Sequence, residues 1–145
     1  MAPARNDPYK SFSFLVEIDG IASAAFRSVS GLAAEAEVVE YREGADRLTS
    51  SRKLPGRVKY PNVTLRRGLT ASRELWDWWQ TVRDGTLQRR TVLIVLLNDA
   101  REPVLRWRLR EAWIVRIEFS ELEASKNEVA IETIELAHEG LDLDD

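Results

Sequence analysis

From Leu105 to Phe119 the chain alternates with little interruption. Leu105, Trp107, Leu109, Trp113, Val115, Ile117 and Phe119 share one parity, while Arg106, Arg108, Arg110, Arg116 and Glu118 share the other. A period of two is the mark of a half-buried β-strand. Only Glu111, Ala112 and Ile114 break the pattern, which predicts one long bent strand or two strands meeting at a bulge.

The rest of the chain reads the same way. Phe12, Phe14, Val16 and Ile18 alternate with polar residues up to the turn signal Asp19-Gly20. Ile21 to Val29 predicts a second short strand, and Glu35 to Glu43 a third with charge on both faces. Arg57 to Arg67 resumes strand character, with Pro61 confining it to an edge or a bulge. Thr91 to Leu97 is an almost continuous apolar strand, and Glu128 to His138 predicts the last one, before an acidic tail at 142–145. One helix interrupts the series. Leu75, Trp78, Trp79 and Val82 fall at i, i+3, i+4 and i+7, with Thr70 or Ser72 as a cap and Asp84-Gly85 as the end. Seven or eight strands and one helix predict a mainly β domain over 1–145. Its expected architecture is a two-sheet sandwich or partial barrel with a flanking helix. Unpaired strand edges in so small a β domain must be covered, and closure of several copies into a ring would cover them.

Between these strands, 43–57 has no clear period and reads as an extended loop. Loops of such length are usually functional, and Leu48 and Leu54 within it suggest docking. Charge is uneven around it. Residues 42–67 hold eight cations against two acids, and 117–145 hold ten acids against Lys126 alone, within a net charge of -3. Opposed segments of this size suit head-to-tail contact between copies. Seventeen Arg against four Lys also suits bidentate pairing at such contacts.

Catalytic chemistry finds little footing. There is no Cys and a single His, His138, so thiolate chemistry is excluded and a zinc site or Ser–His–Asp triad lacks ligands and partners. Glu128, Glu132 and Glu135 near Trp residues are the only carboxylates to weigh for glycoside hydrolysis, and no cleft is legible around them. Gly31, Gly44 and Gly56 form no phosphate-binding loop. Arg66-Arg67, Arg89-Arg90 and Arg106-Trp107-Arg108 could face nucleic acid, but the net charge is negative and Trp107 has core parity. No cofactor, metal or enzymatic activity is expected. The N-terminus lacks the apolar core of a signal peptide, which predicts cytoplasmic synthesis and retention unless the protein leaves within a larger particle.

Four blocks resemble the tail tube protein family of contractile phage tails, and most closely the inner tube subunits of extracellular contractile injection systems. They are DPYKSFSFLVEIDG at 7–20, RKLPGRVKYPNVTLRRG at 52–68, SRELWDWW at 72–79 and NEVAIETIELAHEGL at 127–141. The resemblance implies a structural subunit of stacked hexameric rings, closing on oligomerisation into a continuous β-barrel around a channel for cargo and for piercing an envelope. It implies sheath, baseplate and tube-capping partners, possible protein cargo in the lumen, and a particle that acts outside the cell. The loop beginning near Arg42 resembles the family's segment that reaches an adjacent ring, which marks Arg42, Asp46, Arg47, Leu48, Arg52, Lys53, Leu54 and Pro55. Arg47, Arg52 and Lys53 are expected to meet acids of the neighbouring ring. Trp76, Arg106 and Arg108 are candidate subunit contacts, and Glu37, Glu128 and Glu132 are candidate channel-facing residues. A tube initiator at the baseplate is the alternative within this family. A monomeric β-sandwich binding module is the alternative outside it.

Overall fold

A computed structural model describes residues 8–11, 13–42, 44 and 52–144. Among these, ten strands and one helix follow in the order β1 (Phe14–Ile18), β2 (Ile21–Ala24), β3 (Ser28–Ser30), β4 (Glu35–Tyr41), β5 (Arg52–Lys59), β6 (Val63–Gly68), α1 (Glu74–Arg83), β7 (Arg90–Leu97), β8 (Pro103–Phe119), β9 (Ile131–Ala137) and β10 (Gly140–Asp144). The chain is mainly β, as expected, with more strands than the alternation suggested. The 21–29 segment splits into β2 and β3. The acidic tail is itself a strand: 142–144 belong to β10, which pairs with β8. The strand expected from Glu128 starts only at Ile131. Phe12 lies outside the described residues.

β8 is the spine. Its first part, to Ala112, pairs with β7 on one side and β10 on the other, and its last part, from Trp113, pairs with β9. The resulting path β2-β1-β7-β8-β9-β6-β3 is one sheet that bends at β8. Glu111 sits at the bend with φ 53, a conformation that costs a side chain energy and that local structure must hold. The bulge there reverses the inward parity. Leu109 is buried before it, and Ala112 and Ile114 after it, so Trp113 and Val115 are displaced from the core positions their parity predicted.

The two arms of the bent sheet close on one hydrophobic cluster. Val16, Ile94 and Leu109 from one arm meet Val63, Leu65, Ile114, Ile134 and Leu136 from the other. Helix α1 packs on β8 and contributes Leu75 and Trp78, while Trp79 packs against the cluster edge. No side chain of Arg73 caps the helix; Ser72 Oγ accepts from Glu74 N at 3.5 Å instead. Trp78 is wholly buried, and its Nε1 donates to the Gln88 carbonyl at 2.7 Å. Arg90 lies over its ring at 5.7 Å and donates to the Asp19 carbonyl at 2.7 Å, joining the helix end to the β1–β2 turn. Trp78→Ala is expected to cost about 3–5 kcal/mol, because the helix loses its main anchor. Urea denaturation of the variant measures the loss.

Candidate assembly surfaces

The ribbon β4–β5 stands apart from this body. It forms its own two-stranded sheet, and among the described residues neither strand packs against another strand or the helix. Its register continues that of β3 and β6: Ser28 faces Arg66 as Glu35 faces Lys59. The four strands are therefore one long hairpin, interrupted where Gly31, at φ 90, lies so close to the Asn62 carbonyl that a side chain would collide with it. Pro61 falls in the interruption between β5 and β6, which satisfies its need for a position outside the ladder. Eight residues of β5 carry the arm about 25 Å from the body.

The KLPG motif explains the arm's local geometry. Ala36 pairs with Val58 and Val38 with Pro55, so Gly56 and Arg57 together oppose Glu37 in a bulge. A Cβ on Gly56 would sit 2.9 Å from Val39 Cγ2 and 3.2 Å from the Glu37 carbonyl oxygen. Both faces of the arm carry exposed apolar side chains. Val39 pairs with Leu54 on one face, and Val38 (63% exposed) and Val58 lie on the other. A two-stranded ribbon with no covered face is marginal in water. This arm requires a partner.

These positions correct the expectation of a loop over 43–57. Arg52, Lys53, Leu54 and Pro55 are strand residues, paired with Tyr41, Glu40, Val39 and Val38. Arg42 follows β4 and is exposed. Asp46, Arg47 and Leu48 lie outside the described residues. Glu37 lies on the arm and forms an ion pair with Lys59.

Glu132, expected at a channel surface, is buried to 3% exposure. Its Oε2 accepts from Arg67 Nε at 2.9 Å. The Arg67 guanidinium also lies 5.7 Å above Phe26, and its Nη2 is buried without a hydrogen-bond partner. Both residues take inward positions of the β6–β9 ladder, where Arg67 pairs directly with Glu132. Parity puts Arg67 on the face of Val63 and Leu65 and Glu132 on that of Ile134 and Leu136, but only register makes the pair. Glu128 lies in the exposed segment between β8 and β9.

The outward face of that same sheet holds what residue parity missed. Thr64 and Arg66 on β6, Thr133 and Glu135 on β9, and Arg116 and Glu118 on β8, with Ser120 and Ile131, line a hollow of about 430 Å³. Arg116 and Glu118 pair at 2.8 Å, and Glu135 accepts from Asn62 Nδ2 at 3.0 Å. Among the described residues several strands have one partner only: β2 is bonded to β1, β10 to β8, and two further edges lie on the other arm. β3 is bonded to β6 alone, and β8 beyond Ala112 is bonded to β9 alone.

Charge also distributes differently from the linear balance. Arg110 pairs with Asp142 at 3.0 Å and Arg108 with Asp144 at 3.1 Å, so these two acids of the tail are matched within their own chain. Arg106 lies opposite Asp144 in the β8–β10 register and is half-buried. The acids left on the surface of the 117–145 segment concentrate in the connection between β8 and β9: Glu121, Glu123 and Glu128. Trp76 is partly exposed, with its ring 6.2 Å from that of Phe119 at the rim of a 270 Å³ cavity. His138 follows β9, with Nε2 3.1 Å from the Pro61 carbonyl and its ring 5.8 Å from Tyr60. Among the described residues no three His, Asp or Glu side chains converge as a metal site would require.

A bent sheet with one-sided strand edges and a projecting hairpin that exposes apolar side chains are features of a structural protein with surfaces left for contact. The profile of the T4-like virus tail tube protein gp19 family matches residues 10–142, and the chain belongs to that family as a structural tube subunit of contractile injection systems. It is similar to a chain of the PVC extracellular contractile injection system sheath–tube complex in its extended state. There the identity is 28% and the TM-score 0.85, over 96% of this chain and 93% of that one. It is likewise similar to a chain of the anti-feeding prophage baseplate, at 31% identity and TM-score 0.84, covering 96% and 97%. Hcp1 from Flavobacterium johnsoniae shares the fold at 13% identity and TM-score 0.60, over 90% of this chain and 93% of that one. No curated protein sequence matches the chain.

Arg67→Ala leaves Glu132 as a buried, unpaired carboxylate and is expected to cost about 3–5 kcal/mol. The double change Arg67→Met with Glu132→Leu removes both charges and is expected to recover most of that loss. Chemical denaturation of the three proteins gives the comparison.

Proposed function

We propose that the protein assembles into six-membered rings that stack into a hollow tube, and that it has no enzymatic role. The observation that carries this reading is the arm β4–β5, which exposes apolar side chains on both faces and packs on no other strand or helix among the described residues. Ring closure pairs the free edge of β3 in one copy with the free edge of β8 beyond Ala112 in the next. This removes both edges at once and gives a continuous barrel. The polar face of Thr64, Arg66, Arg116, Glu118, Thr133 and Glu135 then lines the channel, where cations and acids alternate and neither sign of protein cargo is repelled. Stacking engages the arm, a heterologous contact that repeats without closing.

The same reading extends to partners and place. The similar chains stand in sheath–tube and baseplate assemblies, which supports a sheath around this tube and a baseplate and cap at its ends. Assembly takes place in the cytoplasm, and the finished particle works outside the cell. Among the described residues no helix is long and apolar enough to cross a membrane.

Negative-stain microscopy of the purified protein is expected to show rings or tubes that lengthen with concentration. Compact monomers at every concentration would instead identify a solitary binding module. Replacing residues 35–59 by a tight turn is expected to abolish tubes while leaving the thermal unfolding midpoint of the body nearly unchanged, since among the described residues the arm packs on no other strand or helix.

A further inference from the structure

The arm joins the body through two stretches of chain that carry no ladder. Ser30 pairs with Thr64 and Glu35 with Lys59, but among the described residues no strand pair joins 31–34 to 60–62. The register runs straight through this gap, while the hydrogen bonds that would stiffen it are missing. Pro61 has no N–H to give, and Gly31 lies close against the Asn62 carbonyl. A two-stranded ribbon is marginal by itself, and one set on such a gap would swing.

Side chains of the body hold the gap instead. On one stretch Leu32 packs against the hydrophobic cluster. On the other, three successive residues are gripped. The Tyr60 ring lies 5.8 Å from that of His138, the Pro61 carbonyl is 3.1 Å from His138 Nε2, and Asn62 Nδ2 donates to Glu135 Oε1 at 3.0 Å. A carbonyl only accepts, so Nε2 carries the proton of this imidazole. Tyr60 is half-buried here, whereas Arg57, Val58 and Lys59 before it are exposed.

The gripping side chains stand on fixed backbone. Glu135 pairs with Thr64 on one side and Arg116 on the other. Ala137 pairs with Trp113, and Glu139 N donates to the Arg110 carbonyl at 2.9 Å, so β8 ties the chain on both sides of His138. The Nδ1 of His138 is buried without a hydrogen-bond partner, so the ring is seated against the body and does not trail in solvent. We infer that His138 and Glu135 form a clamp on the arm's root, which fixes the direction of the arm before it meets another copy. His138 is the positioning residue, because its Nε2–H replaces a ladder bond that the gap lacks. A pre-oriented arm avoids the ordering cost that a swinging one meets at every docking event. That consequence rests on the stacked-tube reading, whereas the clamp is a property of the single subunit.

The chain has no native Cys, so spin labels can be placed at chosen sites. Lys53→Cys on the arm and Arg89→Cys on the body are both at exposed positions. Pulsed electron resonance on free, dilute subunits reads the distance between the two labels. One narrow distribution is expected, about twofold wider in His138→Ala and narrow again in His138→Gln, whose side-chain amide can donate to the same carbonyl. In unlabelled chains His138→Ala is expected to cut sedimentable tube about fivefold or more, and His138→Gln to restore it. A broad distribution in the unaltered chain, an equally narrow one in His138→Ala, or no recovery in His138→Gln would overturn the clamp. Asn62→Ala, at an exposed position, covers the case in which the His138 variant does not fold: it too is expected to widen the distribution, and no widening counts against the clamp. A wider distribution with undiminished tube would overturn the link to stacking. If the unaltered protein forms no tubes while the distance is narrow and depends on His138, the stacking reading fails and the clamp stands.

Discussion

Everything in the body hangs on the pairing of β8. Seventeen consecutive residues hydrogen-bond first to β7 and β10 and then to β9, so a single strand belongs to both arms of the sheet. The bend at Glu111 turns these arms toward each other, and apolar side chains of both fill the space between. Without the bend the arms would form one flat surface and expose half of the cluster. The bulge shifts the inward parity at the point where the inward direction changes, which keeps Leu109, Ala112 and Ile114 all buried.

The same strand leaves the body with work to share. Its last part has a partner on one side only, and β3, at the far edge of that arm, is three residues long. Free edges invite further pairing, and a monomer would pay for them in aggregation. The arm adds a second unmet demand, because its apolar side chains cannot reach the core from which Gly31 and Pro61 lead it away. Lateral edges and axial arm are independent surfaces. Two independent heterologous contacts are what a lattice of stacked rings requires.

Electrostatics follow from register more than from composition. The arginines of β8 face the aspartates of β10, and Arg67 faces Glu132, so much of the charge counted along the chain is consumed internally. Among the charges that remain outside are cations on β5 at one end and glutamates in the 120–130 connection at the other. Exposed pairs contribute little to stability one at a time, but they fix which surfaces meet and in which orientation.

The sequence by itself determined the β character, the helix and most strand positions, because alternation and helical spacing report burial directly along the chain. Leu75 and Trp78 were legible as the helix's inward face, and Pro61 as a break in the ladder. The apparent loop at 43–57 hid six residues of β5, Arg52 to Arg57, because a strand exposed on both faces shows no alternation. The partner of Glu132 could not be read, since Arg67, 65 residues away, arrives opposite it only by register. The hollow and the two matched acids of the tail have the same cause. Period and composition are local quantities, whereas register between distant strands is set only when the core closes, and here it decided which charges are matched inside and which stay exposed.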